Sequence, residues 1–123
     1  MSEERTYTKD EADAMLPDLR ARLERIRTNR QILLGAAERI RGQIASDGGG
    51  HFGNDYWEAS RALKADVETL AQRNVLLRDP QTGLVDFPGE RDGRPVFLCW
   101  QLGEDAVEHW HEVESGFLGR RPL

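Results

Sequence analysis

The chain has one cysteine, Cys99, so no disulfide can form within it. It has no apolar run long enough to cross a bilayer. Its opening stretch, MSEERTYTKDEAD, is too polar and acidic to serve as a secretion signal. These absences lead us to expect a reduced, cytoplasmic setting and no membrane partner. Positive charge is in deficit, with 17 Lys and Arg against 22 Asp and Glu and a net charge of −5. That disfavours nucleic acid as a partner, because a polyanion is held by an excess of cations. There is no Ser-centred nucleophile elbow, no Walker loop, no dinucleotide fingerprint and no Cys-x-x-Cys pair. The glycines of GGGHFG follow a helical stretch and not a strand, so they do not read as a phosphate loop.

What is present is enough for one domain over 1–123, with a modest core. Three tryptophans and four phenylalanines exclude the composition of a disordered chain. Thr8 and Glu11 have the spacing of a capping box and predict a helix start. Pro17 follows closely and clashes in a helix interior, so the reading is a short helix over about 9–15 and a long one over about 17–46. Leu19, Leu23, Ile26, Arg30, Leu33, Ala37, Ile40 and Ile44 recur in steps of four and three, the seam of a helix packed lengthwise. A Gly-rich loop over 48–54 ends the N-terminal helices of 1–47. Asn54 or Asp55 then caps a second long helix over 55–73, antiparallel to the first. Residues 74–123 change period. VLLRD, LVDF and PVFLCW read as strands, PQTG as a turn and the Asp-Gly of ERDGR as a hairpin, with a last short element over about 107–113. The expected fold class is α+β, an antiparallel helical hairpin with a small antiparallel sheet of three or four strands.

The candidate chemistry lies in the C-terminal half. If 107–113 is a strand, His109 and His111 share one face and Trp110 takes the other, and two imidazoles so placed can share a metal such as zinc. If it is a helix, Glu108, His111 and Glu114 have the three-residue spacing of carboxylate-bridged metal helices, although a second copy is missing. The blander alternative is a set of polar residues that hydrogen-bond a docked tail. Asp86 sits between Val85 and Phe87, so it either faces water on an edge strand or is buried with Arg91, Arg94, Arg120 or a histidine as partner. His51 lies in the Gly-rich loop, near a ligand or simply in solvent. Cys99 reads as inert core. The arginines at 20, 22, 25, 27, 30, 39 and 41 read as a solvated face paired with Glu58, Asp66 or Glu68 of the partner helix.

The stretches YTKDEADAMLPDLR, the Gly-rich break with His51, GLVDFPGERDGRPVFLCWQLGE and WHEVESGFLGRRPL together resemble a bacterial family, the domain of unknown function DUF2203. The resemblance spans nearly the whole chain and implies no established activity. Its motif implies functional positions at Asp86, His111, Glu114 or nearby, Arg91 or Arg94, and Arg120, with His109 less typical. Three expectations follow. The first is a metal site of His51, Asp86, His111 and Glu114 holding a divalent ion such as zinc, with Arg91 and Arg120 clamping a small anion. The second is an interaction or scaffold protein forming a homo-oligomer through its helices. The third, disfavoured by overall acidity, is a nucleic-acid accessory protein using the arginine-rich helix.

Overall fold

The structure is a computed structural model that describes residues 5–47 and 52–123, the side chains of 44–47 excepted. His51 and the glycines at 48–50 lie outside the described residues. The first helix, α1, spans Lys9–Asp47 without a break. It begins where the capping box predicts: the Glu11 backbone N–H donates to Thr8 Oγ1 at 3.1 Å, and the Thr8 N–H donates to Glu11 Oε1 at 2.8 Å. The expected division at Pro17 does not occur. Ala12, Leu16, Leu19, Leu23 and Ile26 form one buried stripe that runs through the proline position. Burying each leucine or isoleucine contributes roughly 1.5–3 kcal/mol, against about 3 kcal/mol for an interior proline. Continuity therefore wins, and Pro17 rides on the exposed side of the helix.

The second helix, α2, spans Asn54–Gln72 and packs along α1, its C-terminal end reaching back to Asp18. Its cap is Gly53, with no side-chain hydrogen bond, in place of the expected Asn54 or Asp55. Its end is well defined. Asn74, in the left-handed region at φ 57°, lets its N–H donate to Ala71 O and the Val75 N–H to Leu70 O. This is the Schellman arrangement, and Leu70 and Val75 complete it by packing in the core. Asp66 is buried on the face of α2 turned to α1, while Val67 is exposed. Arg22 and Arg25 of α1 both donate to the Asp66 carboxylate, at 2.7 to 3.1 Å, which fixes the register of the helical pair. Arg30, the polar member of the seam, turns to the Gln81 amide oxygen and not to an acid.

Five antiparallel strands follow in order β1-β2-β3-β4-β5: Leu76–Asp79, Leu84–Arg91, Arg94–Gln101, His109–Glu112 and Arg121–Pro122. The class is α+β as expected, with one strand more than expected. The fifth is two residues long, too short to show a period, and pairs with His109 and Trp110. Asp92 and Gly93 turn the β2–β3 hairpin with φ of 53° and 77°, the left-handed pair that an Asp-Gly turn supplies. Alternation divides the sheet into two unlike faces. One face carries Val85, Phe87, Val96, Leu98, Trp100 and Trp110 and joins the α1 stripe in the core. The other carries Asp86, Phe97, Cys99, His109 and His111, aligned by the pairings Asp86 with Cys99, Cys99 with His109, and Phe97 with His111. Among the described residues no helix backs this second face. The segment after β4, including the 3-10 turn Phe117–Gly119, folds back beside it.

Candidate metal centre

Asp86, Cys99 and His111 come from three adjacent strands, and all three are buried. A carboxylate oxygen, the Sγ and an imidazole nitrogen lie within 4.8 Å of one another. This is the grouping of metal-ligating side chains among the described residues. Strand register alone produces it: Asp86 pairs with Cys99 across β2 and β3, and His111 sits one pair further along the same face.

His111 Nε2 lies 3.0 Å from Asp86 Oδ1, and Nδ1 lies 2.8 Å from the Glu112 carbonyl oxygen. A carbonyl only accepts, so Nδ1 carries the hydrogen. That leaves Nε2 as the nitrogen aimed at the cluster. A ring N–H held by a backbone carbonyl is the usual support behind a metal-ligating imidazole. Asp86 is anchored on its other oxygen, where Arg78 Nε donates to Oδ2 at 2.9 Å. The Arg78 guanidinium also lies 5.0 Å from the Phe97 ring centroid, and Phe97 is 5.5 Å from the His111 ring. Burial, reinforced by the negative charge of Asp86, pushes the Cys99 thiol up to about 12, so it stays protonated near neutral pH unless a cation displaces the proton.

Beside the cluster lies an open cavity of about 360 Å³, lined also by Arg78, Leu84, Val113 and Glu114 and edged by Ser115, Gly116 and Phe117. Glu114 lines this cavity, but its carboxylate is not among the three clustered donors. His51 lies outside the described residues. The two arginines expected to clamp an anion go elsewhere. Arg91 is an odd number of residues from Asp86 on the same strand, so it faces the opposite side of the sheet and lies over Trp110 at 4.7 Å. Arg120 donates from one nitrogen to both Glu104 oxygens and to His109 Nδ1, each at 2.8 Å. It therefore ties the C-terminal segment to the β3–β4 loop, and it is not part of the cavity lining. His109 shares the face of His111 as the strand reading predicts, but Arg120 occupies its Nδ1. The bland expectation of a polar tail anchor thus describes His109, and not His111.

Two residues of this grouping, Cys99 and Arg78, are not among the candidate site residues read from the sequence. Cys99 is buried, as the core reading expects, and its position opposite Asp86 puts it on the polar face. Arg78 is the single cation of a strand paired with the one that holds Asp86, and that complementarity is its signal. No described helix is long and apolar enough to cross a membrane. No curated protein and no solved structure matches the chain. A family model described as an uncharacterized conserved protein does match, over residues 5–123, and the chain belongs to that family, DUF2203.

Proposed function

We propose that Asp86, Cys99 and His111 bind a divalent metal, with zinc the best match. The observation that carries this reading is the meeting of three unlike ligand types within 4.8 Å on a buried sheet face. A thiolate and an imidazole select zinc over magnesium or calcium, which prefer oxygen alone. Three protein ligands beside a cavity match the pattern of zinc sites that keep a fourth position for water or a small ligand. Arg78 and the Glu112 carbonyl supply the outer support that fixes Asp86 and His111. A free thiol used in this way suits a reduced, cytoplasmic environment. The test is metal content of full-length protein purified without an affinity tag and dialysed against zinc. About one equivalent is expected, falling sharply in both His111→Ala and Cys99→Ser. Substoichiometric zinc in the folded wild-type chain, or zinc retained in both variants, overturns the reading.

A second reading concerns the helices and has its own support. At the distal end of the hairpin, Phe52, Tyr56 and Trp57 cluster, with Phe52 and Tyr56 stacked at 3.7 Å, while Trp57 and Leu34 are each 51% exposed. A groove of about 730 Å³ runs beside them between the helices. Self-association through this end would cover large apolar side chains that a monomer leaves in water. Light scattering across a concentration series should show a dimer that Trp57→Lys dissociates; a wild-type mass fixed at 14.0 kDa rejects it.

A further inference from the structure

We infer that the cavity beside the cluster takes a small organic monocarboxylate, with its head between Arg78 and the metal position and its carbon chain along Leu84, Val113 and Phe117. This rests on the metal reading and adds a ligand class to it. Arg78 carries the argument. Its Nε is committed to Asp86, and its guanidinium lies 5.0 Å from the Phe97 ring centroid. Its two terminal NH2 groups have no acceptor among the described residues, although Arg78 lines the cavity. Its side chain is 44% exposed, so an incoming ligand can reach it. A guanidinium edge with unoccupied donors pairs with a carboxylate in a two-point contact that no neutral ligand reproduces.

Charge and lining separate the carboxylate from phosphate. A divalent ion with the Asp86 carboxylate and a Cys99 thiolate sums to zero. Arg78 adds one positive charge, and Glu114, on the same cavity wall, adds one negative charge. A site so nearly neutral holds a monoanion more readily than a dianion. The rest of the wall is Ser115, Gly116 and three apolar side chains: Leu84 is half-buried, and Val113 and Phe117 keep 47% and 43% of their surface exposed. The three apolar side chains favour a carbon chain, and the Ser115 hydroxyl leaves room for no more than one further polar contact on that wall. At about 360 Å³, the space is at the small end of the range for ligand pockets, which limits the ligand to a short chain or one ring.

The test is calorimetric titration of the zinc-loaded full-length chain with butyrate, benzoate, inorganic phosphate and butanol, with zinc content measured on the same samples. The carboxylates are expected to bind, phosphate to bind about tenfold more weakly or worse, and butanol to give no signal. Arg78→Gln should keep its zinc and lose about tenfold or more in butyrate affinity, with Arg78→Lys intermediate. Phosphate binding as tightly as butyrate overturns the inference, as does unchanged butyrate affinity in a zinc-replete Arg78→Gln. If Arg78→Gln fails to fold, Arg78→Lys and Phe117→Ser carry the same comparison. Zinc retained without carboxylate binding defeats this inference alone, whereas a folded wild-type chain that takes no zinc defeats the metal reading as well.

Discussion

At the scale of single residues, Cys99 has a protonation state set by its surroundings. Burial and the neighbouring Asp86 hold its thiol up to about 12 in the metal-free protein. The thiolate is the nucleophile toward alkylating agents, so the folded apo-protein should resist iodoacetamide at pH 8 while the urea-unfolded chain reacts readily. Mass spectrometry of the two samples checks this, and equal modification rates would contradict the buried placement. Half of the candidate site was legible at this scale. His111 and Asp86 are conspicuous as polar residues within strands, and the strand reading of 107–113 aimed both histidines at one face. The remainder depended on which strands lie side by side. Arg91 could have been set aside from the sequence, because an odd spacing from Asp86 within one strand forbids a shared face. Arg120 could not, since its partners Glu104 and His109 meet only after the C-terminal segment returns along β4.

At the scale of elements, α1 shows local preference overruled by packing. Replacing the exposed Pro17 with Ala restores the N–H that can donate to the Asp13 carbonyl and removes the ring clash. Pro17→Ala should therefore raise unfolding stability by about 1–3 kcal/mol, less whatever the proline contributes by stiffening the unfolded chain. A lower urea midpoint would show that the helix needs a bend there. Asp18, one residue on, joins the helices. Hydrogen bonds from Arg22 and then Arg73, at the end of α2, hold its carboxyl below the ordinary carboxylate value. Because the folded value is the lower one, this contribution is fully present above the unfolded carboxylate value and is lost as pH falls through the folded one. Asp18 is nearly half exposed, so its worth stays below about 1 kcal/mol. Asp18→Asn should narrow the gap between urea midpoints at pH 6 and pH 2.5, and an unchanged gap would contradict the assignment. The helical hairpin, the Asp-Gly turn and β3 were legible because each has a strong local signal. The two-residue β5 and the unbroken α1 were not, because tertiary contacts decide both.

At the scale of the whole molecule, the two sheet faces have different tasks. The helix-backed face holds Phe87, Trp100 and the α1 leucines and isoleucine, and it supplies the apolar burial on which folding depends. The opposite face holds the charged and ligating side chains under a short C-terminal cover. Substitutions at Cys99 or His111 should accordingly change ligand occupancy more than they change the melting transition. Thermal scans of apo-His111→Ala against apo wild type check this, and a loss of cooperative unfolding would place His111 in the folding core after all. The cover itself carries a kinetic consequence. Deuterium should enter the backbone amides of residues 113–119 by a local opening, long before it reaches the interior strand β3, which exchanges only when the sheet comes apart. A solute could then come and go on the timescale of that opening while the rest of the chain remains folded.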